Sequence, residues 1–149
     1  MNRIFLIIFC FFFVYSCSYE PILTNKKYNF QFENIEHTGE ENINGIIKNN
    51  LYQSSAGIKK YEIIFDTEKK REILSSNEKG DPTIFRLNIN LNYIVNFDGV
   101  EVLKNSIKKE ITYNNIDDKF ELFKYEENIL ESLADNLTDD ILISIVSLN

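Results

Sequence analysis

Phe85-Arg86-Leu87-Asn88-Ile89-Asn90-Leu91-Asn92-Tyr93, FRLNINLNY, decides the fold. Phe85, Leu87, Ile89, Leu91 and Tyr93 fall at every second position, and Arg86, Asn88, Asn90 and Asn92 fill the positions between them. Successive side chains of a strand point to opposite faces, so this alternation predicts a strand with one apolar wall and one polar wall. The apolar wall needs a second layer to cover it, and the polar wall faces solvent.

Working outward, residues 75–82 (SSNEKGDP) are dense in turn formers and reverse the chain. Before them, Tyr61, Ile63 and Phe65 alternate with Glu62 and Asp66, which predicts a strand running on towards Leu74. After the central strand, Asp98-Gly99 is a hairpin signal. The returning strand, about 101–113, sets Leu103, Ile107, Ile111 and Tyr113 on one face. Val102, Lys104, Ser106, Lys108, Glu110 and Thr112 make up the other.

Helical spacing flanks this meander. Ile129, Leu133, Leu137, Ile141 and Ile145 recur every four residues, broadened by Leu130, Ala134 and Leu148, with Asp118 placed to cap. The spacing predicts a helix over about 118–147. Upstream, Ile43, Ile46, Ile47 and Leu51 form a second stripe over about 40–53. Thr38-Gly39-Glu40-Glu41 before it reads as a capping box. Tyr28, Phe30 and Phe32 alternate as a first strand, and 54–59 reads as a loop. The order is strand, helix, strand, strand, strand, helix. That order predicts an α+β two-layer sandwich, a four-stranded mixed sheet packed on two helices.

The N-terminus has a different character. Arg3 precedes an apolar run from Ile4 to Tyr15, the pattern of a secretory signal, and too short for the roughly 20 residues of a membrane span. Val14-Tyr15-Ser16-Cys17 then matches a bacterial lipoprotein signal, in which a small residue precedes the cysteine that takes the lipid. A soluble export signal, or an uncleaved anchor with an incidental cysteine, is the competing reading. In the lipoprotein reading residues 1–16 are a signal peptide, 17–27 a lipidated tether, and 28–149 a single domain.

Cleavage before Cys17 leaves 133 residues and takes the net charge from −7 to −8, because Arg3 is lost. Of the two cysteines, Cys10 leaves with the signal and Cys17 carries lipid. The mature chain then has no thiol for a disulfide, a metal site or nucleophilic catalysis. The negative charge disfavours nucleic acid as a partner. The many asparagines and isoleucines lie within clearly periodic segments, which fits AT-rich coding bias and not a low-complexity tract.

Enzyme signatures do not emerge, and the expectation is a non-enzyme with no cofactor and no metal. His37 is the single histidine and reads as a surface residue in a loop. No glycine-rich phosphate loop occurs, and Ser54-Ser55 and Ser75-Ser76 lack the setting of a nucleophile elbow. Glu126-Glu127 and Asp139-Asp140 read as a solvated helix face, and Asp117-Asp118 as a cap. Neighbours on a helix diverge by about 100°, so such pairs do not converge on one substrate atom. Two basic groups fit binding: Lys69-Lys70-Arg71 with Lys79 in the next turn, and Lys108-Lys109 on the last strand. They read either as a phosphate-binding patch or as edge-strand lysines that discourage aggregation.

Several short motifs in order carry a family resemblance. Tyr19, Pro21 and Ile22 follow the lipid cysteine. Asp98-Gly99 is followed by Val102-Leu103, and Tyr113-Asn114 ends the strand. Asp118, Phe120, Glu126-Glu127 and Leu133-Ala134-Asp135 mark the last helix. In this arrangement the chain resembles the lipopolysaccharide-assembly lipoproteins, the LptE family, in its alphaproteobacterial form. It departs from the pattern at Ser18, where a glycine is usual, at Glu20, which lies inside the aromatic-proline motif, and by one extra residue before Val102.

The resemblance implies a lipoprotein anchored on the periplasmic side of the outer membrane. Such a protein associates with the LptD β-barrel, binds lipopolysaccharide and assists its delivery to the cell surface. Lys79, Lys108 and Lys109 are the candidate contacts for lipopolysaccharide phosphates, chosen from the residues themselves. An unrelated periplasmic lipoprotein, such as an auxiliary subunit of an export transporter, is the alternative.

Overall fold

The structure is a computed structural model that describes residues 28–148. The signal and tether segments, with Cys17, lie outside them. Six elements follow in order: β1 (Tyr28–Gly39), α1 (Glu41–Ser54), β2 (Ser55–Ser76), β3 (Pro82–Phe97), β4 (Val100–Asn114) and α2 (Lys119–Val146). The strands form one mixed sheet in the order β1-β2-β3-β4. β1 and β2 are parallel and joined through α1, and β2, β3 and β4 form an antiparallel meander. This is the two-layer α+β arrangement expected from the pattern, and both helices pack on one face of the sheet.

The core lies where the alternation places it. β3 buries Phe85, Leu87, Ile89, Leu91, Tyr93 and Val95 against Ile43, Ile47 and Leu51 of α1 and Leu133, Leu137 and Ile141 of α2. Asp118 caps α2 by accepting from the backbone N–H groups of Phe120 and Glu121 at 2.8 and 3.1 Å. Asp98 and Gly99 both take positive φ, 51° and 75°, which matches the right-handed twist of the β3–β4 hairpin.

Three expectations need correction. β1 runs on to Gly39, past Phe32, because a register shift between Phe32 and Asn34 resets the alternation and puts Ile35 in the core. The segment read as a loop over 54–59 is mostly the start of β2. Gly57 is required there, since an added Cβ would overlap the backbone of Asn29 and Phe30. Finally, Thr38 does not cap α1. Thr38 is still in β1, and its hydroxyl donates to Asp66 Oδ1 at 2.5 Å.

A buried polar knot replaces that cap. The Asn44 side chain donates to the Thr38 carbonyl at 3.0 Å and accepts from the Thr67 hydroxyl at 2.6 Å. The Glu40 N–H in turn donates to Thr67 Oγ1 and to the Thr67 carbonyl, at 3.0 and 3.3 Å. Asn44 and Thr67 are both buried. Buried polar groups are tolerated when every one is paired, and these bonds fix how α1 leaves the sheet.

Candidate interaction site

Directly opposed residues of neighbouring strands share a face, so the register shows where each charged side chain points. Lys108 lies opposite Asn90 on the helix-free face and pairs with Glu110 at 3.2 Å. Lys109 lies opposite the buried Ile89, on the helix-covered face, and its ammonium meets Asp140 of α2 at 2.6 Å. Lys79 sits in the turn between β2 and β3, beyond Ser76. The three lysines therefore do not share one patch. Lys69-Lys70-Arg71 also divides, pairing with Glu40, Glu72 and Glu126 respectively. The Lys70–Glu72 bond raises the lysine pKa and lowers that of the glutamate.

The acidic pairs divide in the same way. Asp140 faces Lys109, and the charge of Asp139 adds to burial in raising the Tyr28 pKa. Glu127 is exposed, whereas Glu126 turns inward. His37 is in β1, not in a loop, with its ring stacked on Phe65 at 5.6 Å. Among the described residues no group of three or more histidines, cysteines, aspartates or glutamates could hold a metal ion.

Two concave regions stand out. One is a depression of about 560 Å³ on the helix-free face, bounded by Ile64, Asp66, Asn92, Ile94, Lys104 and Ser106. The other is a groove of about 390 Å³ at the end of the sandwich where α2 begins. Ile73, Pro82, Phe85, Leu122 and Phe123 give it apolar walls, with Arg71, Lys119 and Glu126 beside them.

The groove floor is organised by an interaction that the sequence reading did not identify. The Arg71 guanidinium lies 3.7 Å from the centroid of the Phe85 ring, its Nε donates to the Tyr113 hydroxyl at 3.1 Å, and it pairs with Glu126 at 2.9 Å. The Tyr113 hydroxyl donates to Glu126 Oε1 at 2.6 Å. The signal was present: Glu126 lies four residues before Leu130 and three before Ile129, on the flank of the apolar stripe. Arg71 shares the parity of Phe65.

Burial, reinforced by the bond to Glu126, holds the Tyr113 pKa above its ordinary value of 10.0. A group whose pKa is raised by folding contributes stability that is complete below the unfolded value. That stability is lost as pH climbs through the folded one. Wild-type protein should therefore lose stability above about pH 10 in part through Tyr113, and Tyr113→Phe should lessen that loss while lowering stability at neutral pH. Urea melts between pH 8 and 11.5 check this, and parallel curves for the two proteins would exclude a role for Tyr113.

No family model matches the chain, and no curated protein matches it. Solved structures do. Rare lipoprotein B from Shewanella oneidensis is 15% identical with a TM-score of 0.57, over 76% of this chain and 94% of that one. A Caulobacter crescentus protein assigned as a lipoprotein is 14% identical with a TM-score of 0.54, over 76% and 88%. An uncharacterised lipoprotein B from Nitrosomonas europaea is 16% identical with a TM-score of 0.51, over 79% and 85%. At these identities the likeness is one of fold, and the fold of this chain is the one these lipoproteins share.

Proposed function

We propose that the chain is an outer-membrane lipoprotein, lipidated at Cys17 on the periplasmic side, that associates with an LptD-type β-barrel and assists lipopolysaccharide assembly and transport. The observation that carries the reading is the shared fold with three lipoproteins, on a chain in which a signal-like segment ends in Val14-Tyr15-Ser16 directly before Cys17. The motifs that resemble the LptE family fall on matching elements: Asp98-Gly99 on a hairpin turn, Tyr113-Asn114 at the end of β4, and Asp118 at the cap of α2.

Among the described residues no helix is long and apolar enough to cross a membrane. In this reading the acyl chains at Cys17 supply the membrane attachment. Each buried CH₂ contributes about 0.8 kcal/mol, and firm anchoring takes two or more chains. The helix-free face, with Asn90, Asn92, Lys104 and Lys108, offers side chains suited to the polar lumen of a barrel. The role is one of binding and positioning, with no chemical step.

Cys17→Ser should move the protein from the membrane fraction to the soluble fraction or leave it unprocessed. Intact-mass spectrometry should show no acyl addition. A substituted protein that partitions and processes as the native one does would remove Cys17 as the anchor.

A further inference from the structure

Asn44 closes the buried knot at the start of α1, and the residue after it is Gly45. Asparagines are common in the chain, and Asn44 is the one that glycine follows. The fold does not ask for that glycine. Gly45 lies inside α1 without a positive φ, and nothing stands within 4 Å of a Cβ added to it. Alanine would fit the space and suit the helix better, since glycine in a helix interior loses more backbone entropy on folding. What the glycine changes is the chemistry of its neighbour.

In an unfolded chain the Gly45 backbone nitrogen, unhindered by a side chain, can give up its proton and attack Cγ of Asn44. A bond forms between that nitrogen and Cγ, the Cγ–Nδ2 bond breaks, and Nδ2 leaves with the proton as ammonia. The product is a five-membered succinimide. Water then opens the ring at either carbonyl and leaves aspartate or isoaspartate at position 44. The balance is a water taken up and an ammonia released, with no oxidant or reductant.

The folded protein blocks each step. Ring closure needs a backbone turn at Asn44 that a helix does not allow, and α1 is helical from Glu41 onward, with the Asn44 N–H donating to the Glu40 carbonyl at 2.9 Å. The side chain is held toward the sheet by the Thr38 carbonyl at 3.0 Å and the Thr67 hydroxyl at 2.6 Å. Asn44 is 0% exposed, which keeps water from its amide. The product, in turn, does not fit the fold. Where Nδ2 donates to the Thr38 carbonyl, a carboxylate sets oxygen against oxygen and brings a charge into a fully buried site. Isoaspartate also adds a carbon to the α1 backbone and breaks the spacing of its hydrogen bonds.

We propose that Asn44-Gly45 is a self-modification site gated by folding. A folded chain keeps the amide. A chain that stays unfolded loses it to water, cannot rebuild the knot, and is removed irreversibly from the native pool. Neither lipid nor partner enters the step, so it stands apart from the function proposed above.

Peptide mass spectrometry of the full-length lipoprotein, held at pH 8 in buffer or in urea above its unfolding midpoint, tests it. The expected result is deamidation at residue 44 in urea and at least about a hundredfold slower deamidation in buffer, because the reaction waits for the rare open state. After dilution from urea, the share of chains that fails to regain the native melting transition should match the share converted. Gly45→Ala should slow conversion in urea and melt no lower than the native protein. Equal conversion in buffer and urea would overturn the gating. Converted chains that refold with the native melting temperature would overturn the irreversible loss. A Gly45→Ala protein that melts lower would show that the fold requires the glycine, and would overturn the assignment.

Discussion

Gly39→Ala should destabilise the protein by about 2–5 kcal/mol. Gly39 adopts a φ of +95°, where a side chain costs about 1–2 kcal/mol. Its would-be Cβ also overlaps the backbone of Thr67, and rigid neighbours of that kind add about 1–3 kcal/mol as they are displaced. Gly99→Ala is the control. Its φ of +75° carries a comparable backbone cost, but nothing lies within 4 Å of an added Cβ. Denaturant melts of the two variants should therefore differ by at least about 1 kcal/mol. Equal losses would show that β1 does not approach Thr67 as closely as described.

Asn44→Ala should cost about 2–4 kcal/mol, from the same junction but through hydrogen bonds instead of packing. The substitution leaves the Thr67 hydroxyl without its acceptor and the Thr38 carbonyl without its side-chain donor. An orphaned buried group costs about 1–3 kcal/mol, well above the net worth of an intact bond. For a domain of this size, each kcal/mol lowers the melting temperature by about 3–6 °C, so the loss is visible in a thermal scan. Thr67→Val alone should also destabilise, because it orphans Asn44 Oδ1. The double variant removes both partners and should lose less than the sum of the single losses by about 1–2 kcal/mol. Strict additivity would mean that the two side chains do not interact.

Both positions lie at the junction that the sequence concealed. A strand announces itself by strict alternation, and FRLNINLNY on β3 does so because one face meets helices and the other is helix-free. Asn88, on that second face, is buried among its neighbours and not solvated. β1 loses that pattern at the register shift after Phe32, so only its first half was legible. The start of β2 carries Gly57 because the β1 backbone comes close there, and glycine is also common in loops. Thr38 and Glu41 have the spacing of a capping box, yet tertiary contacts pull Thr38 into the sheet and leave Asn44 and Thr67 to close the junction.

Charge was harder to read than apolar pattern, for a related reason. Lys108 and Lys109 are adjacent in sequence and therefore opposed in space. Lys69, Lys70 and Arg71 form a basic run on paper and three separate ion pairs in the fold. The partner carboxylates come from the β1–α1 junction, β2 and α2, and no local spacing reveals which helix lies over which strand. The groove beside α2 was missed for the same reason, since Arg71, Phe85, Tyr113 and Glu126 come from four different elements.

The most direct test is affinity purification of the full-length, Cys17-bearing protein from its own outer membranes in mild detergent. The expected result is a large outer-membrane β-barrel recovered in near-equal amount, with folded barrel and surface lipopolysaccharide both falling when the lipoprotein is depleted. Recovery of the lipoprotein alone, with barrel and surface lipopolysaccharide at normal levels after depletion, would contradict the proposed function.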